Sequence, residues 1–332
     1  MEHCILRELS TRKFGVELEV SNNFSKKQIG EFLQLYELRN KIPSRSKPRS
    51  VRVTSGPKGW AQTKKNTYWH VKYDSTCGPK GKGHDNGWEI ASYIASGLHD
   101  LTHISRLAGF LNANGVETNT NCGLHIHVEV KDFTRKDISN LLARWMKVEN
   151  LLIDLCDKSR KKNQYCKSIY SRFSLIKKSC CLPDFFELNL LWDLLQPTSL
   201  GIHDNADKKY TLNTVGFKSF ELNPNFARPT VELRLPECVL DEVHIKNWTA
   251  LILNFVQVTK SKEWEIESFE PIQDLNEALL YLGLKDDSAF AILDPTLVHV
   301  KFWLLAKIIT RSQNAELVAE AKKEFDFATL FR

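Results

Sequence analysis

The chain has 332 residues, of which 42% are hydrophobic and 26% charged, and its formal net charge is +6. This is the composition of a globular protein with one large domain or two smaller ones, and it excludes a disordered or fibrous chain. No apolar run approaches the roughly 18 residues of a membrane span, and the opening MEHCILRELSTRKFG has no apolar signal-peptide core. We therefore expect a cytoplasmic protein.

The first predicted elements are a strand near 14–20 and a helix near 25–37. Successive side chains of a strand point to opposite faces. In FGVELEV this places Glu17 and Glu19 on one face, opposite the aliphatic residues Val16, Leu18 and Val20. The alternation predicts a strand with a core face and an acidic open face.

A basic segment follows, with ten Lys and Arg residues and no acidic residue between Leu38 and Tyr73. Its prolines and glycines favour a loop, interrupted by short strands near 51–54 and 67–74. It is either a solvated loop or a patch for phosphate or another polyanion. If it binds a nucleotide, we expect Arg52 and Lys72 to take part. The stretch from Arg45 to Lys65 is expected to meet phosphate or an acidic substrate.

The next elements are strands in the sequences WHVKYDS and GWEIAS, and then a helix near 98–114. The first strand places His70, Lys72 and Asp74 on one face, and the second carries Glu89. The helix has apolar residues at helical spacing, namely Leu98, Leu101, Ile104, Leu107, Ala108 and Leu111. Gly115 is expected to end it.

The sequence TNCGLHIHVEV predicts a strand with two histidines and a glutamate on one face. These are His125, His127 and Glu129, and Leu124, Ile126 and Val128 lie opposite them. Two histidines in this pattern, taken by themselves, more often mark a half-buried surface strand than a set of metal ligands. Cys122 with His125 is a less favoured alternative, a nucleophile pair, in a chain whose eight cysteines are expected to be reduced thiols.

The later elements begin with a long helix to about residue 157, for which Thr134 is the expected N-cap. A mixed segment at 165–198 follows, then strands near 209–214, 217–222 and 229–235, and mostly helix beyond Asp241. In TVELRLPE, Glu232 and Arg234 share one face. Asn213 is a weaker candidate for a polar contact.

Three distant strands thus carry two ionisable groups on one face and aliphatic side chains on the other. The alternation predicts an α+β fold, a largely antiparallel sheet with one open polar face and helices on the other. Carboxylates gathered in this way repel one another unless cations neutralise them, and Glu oxygens with a His suit Mg²⁺ or Mn²⁺. The structural alternative is a surface of salt bridges.

The motifs FGVELEV, KYDST…GWEIAS, GLHIHVEV and TVELRLPE, in this order, resemble the amidoligase family. That family is a branch of the carboxylate–amine ligases, with the fold of glutamine synthetase and glutamate–cysteine ligase. The resemblance spans about residues 12–260. It implies that the metal ligands are Glu17, Glu19, Glu89, His125 and Glu232. It also implies that Arg234 binds phosphate and that His127 orients substrate, so that Arg234, His127 and Glu232 are the expected catalytic residues.

The resemblance implies a Mg²⁺- or Mn²⁺-dependent enzyme that uses ATP to join a carboxylate to an amine through an acyl phosphate. The expected nucleotide-binding residues are Arg52, Lys72, Asn213 and Arg234. The expected partners are ATP and small-molecule or peptide carboxylates and amines. Residues 1–262 would form the catalytic domain and residues 263–332 a helical extension. Two alternatives stay open, a metal-dependent amide hydrolase and a module that binds nucleic acid or another polyanion through the basic segment.

Overall fold

The structure is a computed structural model that describes residues 5–21, 24–40, 51–53, 68–78, 87–172, 209–222, 229–261, 264, 270–285 and 291–330. Its strands are β1 (Ile5–Arg7), β2 (Phe14–Ser21), β3 (Val51–Val53), β4 (Trp69–Tyr73), β5 (Gly87–Ala91), β6 (Leu124–Glu129), β7 (Leu212–Asn213), β8 (Thr230–Leu233) and β9 (Ala291–Leu293). Its helices are α1 (Lys26–Arg39), α2 (Gly97–Ala113), α3 (Arg135–Leu155), α4 (Val215–Leu222), α5 (Glu242–Ser261), α6 (Leu275–Tyr281), α7 (Pro295–Arg311) and α8 (Ala315–Leu330).

The chain divides into two compact units. The amino-terminal unit consists of Thr11–His127 and Pro236–Thr249. The carboxy-terminal unit consists of Met1–Ser10, Val128–Leu235 and Ala250–Arg332. The predicted division into residues 1–262 and 263–332 stays a prediction.

The amino-terminal unit is built on four neighbouring strands in the order β3-β4-β5-β2. β3 and β4 are parallel, whereas β4 with β5 and β5 with β2 are antiparallel. The start of β6 lies beside β2, because the Glu19 N–H donates to the Gly123 carbonyl oxygen. α1 packs on β3, on β4 and on α2.

Local sequence signals explain the helices of this unit. α1 begins with a capping box, in which the Ser25 hydroxyl accepts from the Gln28 N–H and the Gln28 side chain accepts from the Ser25 N–H. α2 ends before Gly115, whose φ of 78° is the left-handed conformation that favours glycine. Of the six apolar positions predicted to face the core in α2, five are buried, but Leu98 is 45% exposed. Leu98 lies in the first turn of the helix.

The carboxy-terminal unit contains the long helix α3, several further helices and two small strand pairs. Thr134 is the N-cap of α3 as predicted, in a capping box with Asp137. β7 and β8 pair antiparallel, and β1 pairs parallel with β9. α7 and α8 pack against each other.

The predicted strand at 217–222 is wrong, because this segment is the helix α4. The Asn213 side-chain oxygen accepts from the Val215 N–H and turns the chain at the end of β7. Phe217, in the first turn of α4, is buried.

The predicted α+β class with a largely antiparallel sheet is confirmed. The other predicted strands and helices are present wherever the structure describes the chain. Most of the basic segment and residues 173–198 of the mixed segment lie outside the described residues. Among the described residues, no helix is both long enough and apolar enough to cross a membrane.

Candidate active site

A row of charged residues crosses three strands of the amino-terminal unit. Lys72 on β4 lies directly opposite Glu89 on β5, and Glu89 lies directly opposite Glu19 on β2. Residues opposite each other in a sheet project from the same face. Lys72 Nζ lies 2.5 Å from Glu89 Oε1 and 3.9 Å from Glu17 Oε1. Two of the three buried carboxylates, those of Glu89 and Glu17, therefore contact this lysine.

The two histidines of β6 join this row. His125, only 3% exposed, lies between two carboxylates, with Nδ1 3.3 Å from Glu17 Oε2 and Nε2 3.3 Å from Glu19 Oε1. His127 Nε2 lies 3.5 Å from Glu17 Oε1. The Gly123 N–H donates to Glu19 Oε2 at 2.5 Å and fixes that carboxylate. Both histidines of the HxH motif therefore face the acidic pair of β2.

Burial and the shared lysine set the charges of this cluster. For Glu17, burial opposes ionisation, but Lys72 and His127 outweigh it and hold the pKa well below its ordinary value. For Glu89, burial and then the charge of Glu17 raise the pKa well above its ordinary value. The pKa of Lys72 is raised because Glu17 and Glu89 outweigh the effect of its burial. The cluster therefore holds more acidic groups than one lysine neutralises.

A second group of polar side chains lies at the turn that follows β4. Asp74 Oδ1 accepts from the Thr76 N–H at 2.7 Å and from the Thr76 hydroxyl at 2.6 Å. Glu19, Asp74 and Cys77 each offer a ligand atom, and these atoms all lie within 4.8 Å of one another. A hydrogen bond between Cys77 and Cys122, followed by burial, raises the pKa of the Cys77 thiol. Sequence reasoning missed Cys77, because no spacing pattern connects it to β2.

The alternative of a Cys122–His125 nucleophile pair stays a prediction. The Cys122 thiol donates to the Asn119 side-chain oxygen at 3.6 Å, and it also accepts from the Asn119 N–H at 3.4 Å. These contacts bind the sulfur to Asn119, a residue of its own turn.

The carboxy-terminal unit holds three of the predicted site residues. Asn213 lies directly opposite Glu232, and its amide donates to Glu232 Oε2 at 2.7 Å. Arg234 Nη1 donates to Glu232 Oε1 at 2.5 Å, and its Nε donates to the Tyr165 carbonyl oxygen at 3.3 Å. The guanidinium is therefore held in a fixed orientation by a carboxylate and a backbone carbonyl.

Each unit brings predicted site residues together. The amino-terminal unit gathers Glu17, Glu19, Glu89, His125, His127 and Lys72, and the carboxy-terminal unit gathers Asn213, Glu232 and Arg234. Arg52 lies in β3 opposite His70, but its side chain lies outside the described part of the chain. Of the stretch from Arg45 to Lys65, only Val51–Val53 is described.

The donor types of the amino-terminal group suit a hard divalent cation. Mg²⁺ and Mn²⁺ prefer carboxylate oxygens and accept an occasional imidazole. Glu17, Glu19 and Glu89 supply such oxygens from one sheet face, with His125 between the first two. A divalent cation would offset the excess of negative charge that Lys72 leaves.

The chain matches a known protein family over most of its length. The family described as "Putative amidoligase enzyme" matches residues 10–256. The chain belongs to this amidoligase family, and membership indicates a ligase. The resemblance of the four motifs to amidoligases is therefore confirmed.

Among solved structures, the chain is similar to the glutamine synthetase of Plasmodium falciparum, determined by electron cryomicroscopy. The two are 12% identical, the match covers 97% of this chain and 74% of that chain, and the TM-score is 0.35. This likeness is too remote to carry an argument. No curated protein sequence matches the chain.

Proposed function

We propose that the protein is an ATP-dependent ligase that forms an amide bond between a carboxylate and an amine through an acyl phosphate. Membership in the amidoligase family supports a ligase in general. The proposal of a metal- and ATP-dependent mechanism is supported by one observation, the row Lys72–Glu89–Glu19. Together with Glu17 and His125, this row forms a buried acidic face that one lysine does not neutralise.

Glu17, Glu19, Glu89 and His125 would hold Mg²⁺ or Mn²⁺, and Glu232 is proposed as a further ligand from the family resemblance. When bound, the divalent cation neutralises phosphate oxygens and the charge that develops on them during transfer. The chain's own contribution is to present the carboxylates from the paired strands β2 and β5.

Arg234 is proposed to bind the transferred phosphoryl group. Its contacts with Glu232 and the Tyr165 carbonyl orient the guanidinium, and donors that are held in place bind a phosphoryl oxygen more strongly in the transition state. His127 is proposed to orient the substrate carboxylate. Arg52, Lys72 and Asn213 are the proposed nucleotide contacts.

The proposed catalytic domain is residues 1–262, and residues 263–332 are the proposed helical extension. The substrates are proposed to be small-molecule or peptide carboxylates and amines. A cytoplasmic location likewise stays a prediction of the sequence.

The spent nucleotide tests the mechanism. The protein is incubated with ATP, Mg²⁺ and pooled carboxylates and amines, condensation products are found by mass spectrometry, and nucleotides are separated by chromatography. We expect ADP in step with amide product, because an acyl phosphate requires transfer of the γ-phosphoryl group. AMP in step with product would refute the acyl phosphate, and amide cleavage without ATP would favour the hydrolase alternative.

A further inference from the structure

A side chain outside the proposed ligand set joins two turns of the amino-terminal unit. Asn119 begins the turn that precedes β6, and its carbonyl oxygen accepts from the Cys122 N–H at 3.0 Å. Its side-chain oxygen accepts from the Asn121 N–H at 2.7 Å. Asparagine is favoured at the first position of such turns, because its side chain can accept from the backbone two residues further on. Asn119 therefore closes the turn with both its backbone and its side chain.

The amide group of Asn119 contacts a different turn. Its Nδ2 donates to the Cys77 carbonyl oxygen at 2.9 Å, across 42 positions of the sequence. Cys77 belongs to the turn after β4, in which its N–H donates to the Asp74 carbonyl oxygen at 3.4 Å. Asn119 thus links the turn that follows β4 to the turn that leads into β6.

The residue that follows the second turn fixes a carboxylate of the acidic row. The Gly123 N–H donates to Glu19 Oε2 at 2.5 Å, and the Gly123 carbonyl oxygen accepts from the Glu19 N–H at 3.3 Å. The other carboxylate oxygen, Glu19 Oε1, lies 3.3 Å from His125 Nε2. A shift of the turn would move the Gly123 N–H, because the two are adjacent in the backbone. The orientation of the Glu19 carboxylate therefore depends on where the turn at 119–122 is held.

We propose that Asn119 is a positioning residue, which holds the Glu19 carboxylate in the orientation that binds the divalent cation. This role rests on the metal site of the proposed ligase, of which Asn119 is not itself a ligand. Loss of a residue that orients a metal ligand through hydrogen bonds typically lowers metal affinity by roughly 10–100-fold. A residue that only stabilised the fold would change the stability of the protein and leave the metal affinity of its folded state unchanged.

Manganese binding tests this role without ATP or turnover. Mn²⁺ is titrated into the metal-free protein, and the free ion is measured by electron paramagnetic resonance. We expect Asn119→Ala to bind Mn²⁺ roughly 10–100-fold more weakly than the parent. The matched control is Asn114→Ala, because the Asn114 amide also donates to a backbone carbonyl, that of Phe110 at 2.7 Å, at the end of α2. The control is expected to keep the Mn²⁺ affinity of the parent.

A double-mutant cycle tests whether the effect of Asn119 passes through Glu19. In the Glu19→Gln background, Asn119→Ala is expected to change the Mn²⁺ affinity by less than about twofold, because the carboxylate that Asn119 orients is gone. The same loss of affinity in both backgrounds would show that Asn119 acts independently of Glu19, and it would overturn the proposal. If Glu19→Gln binds no Mn²⁺, the comparison of Asn119→Ala with Asn114→Ala decides.

Asn119→Ser is the second variant if Asn119→Ala does not fold. Its hydroxyl can still accept from the Asn121 N–H, but it is too short to reach the Cys77 carbonyl oxygen, so we expect roughly 10-fold weaker Mn²⁺ binding. A folded Asn119 variant with the affinity of the parent would overturn the positioning role and leave the proposed metal site standing. A parent protein that binds no Mn²⁺ would instead refute the metal site itself, and the positioning role with it.

Discussion

Replacing Lys72 by methionine tests whether this lysine is the internal counter-ion of the acidic row. The substitution keeps the length and apolar stem of the side chain but removes the charge that lies 2.5 Å from Glu89 Oε1 and 3.9 Å from Glu17 Oε1. Three buried carboxyl groups would then face one another without a lysine. We expect the folded state to lose stability for this reason.

The size of the loss follows from the exposure of the pair. Removing one partner of a fully buried ion pair costs roughly 3–5 kcal/mol. The Lys72 side chain is 28% exposed, so solvent screens part of the interaction, and Glu89 can respond by binding a proton. We therefore expect a loss of about 2 kcal/mol in the free energy of unfolding, which for a chain of this length is a drop of about 3 °C in Tm.

Thermal unfolding followed by circular dichroism in metal-free buffer measures this loss. The matched control is Lys27→Met, because Lys27 lies 3.8 Å from Glu31 but is 87% exposed, and such surface pairs contribute about 0–1 kcal/mol. Equal Tm values for the two variants would refute the counter-ion role. Adding Mg²⁺ is expected to raise the Tm of Lys72→Met more than that of the parent, since a bound cation replaces the missing charge.

Three further substitutions probe other parts of the molecule. Glu17→Gln is expected to abolish ATP turnover in a protein that stays folded, and unchanged turnover would remove Glu17 from the proposed metal site. Arg144→Met should cost roughly 3–5 kcal/mol in denaturant unfolding, because this fully buried guanidinium donates to the Phe255 and Tyr281 carbonyl oxygens; a loss below about 1 kcal/mol would contradict this. Burial raises the pKa of Glu149 above 4.5, although hydrogen bonds oppose the shift. The protonated Glu149 therefore contributes to the stability of the fold below about pH 4.5, and this contribution is lost as the pH rises through the raised pKa. Between about pH 4.5 and pH 7, the Tm of the parent should therefore fall more than the Tm of Glu149→Gln. Parallel profiles of Tm against pH would contradict the raised pKa.

Much of the candidate site follows from short-range rules in the sequence. Strand alternation alone places Glu17 with Glu19, and His125 with His127, on faces opposite to aliphatic residues. The structure confirms the burial of the residues behind them, among them Leu18 and Ile126. These features depend only on neighbours along one strand, so the sequence is sufficient to determine them.

Helix boundaries show where such local rules succeed and where they fail. Thr134 and Gly115 mark a start and an end, because capping is a matter of a few adjacent residues. The segment 217–222 was predicted as a strand, but its start depends on the Asn213 side chain, which turns the chain after β7. A short apolar segment carries too few residues for its period alone to separate helix from strand.

Only the tertiary structure decides which charges meet. Lys72, Glu89 and Glu19 form one row because β4, β5 and β2 pair in one register, and a shift of one residue in any pair would turn a charged side chain into the core. The grouping of Glu19, Asp74 and Cys77 arises in the same way, from a strand and a turn that are distant in the sequence. The sequence determines the face on which each residue lies, because alternation is local. The fold determines its neighbours, because strand pairing depends on the burial of the whole sheet.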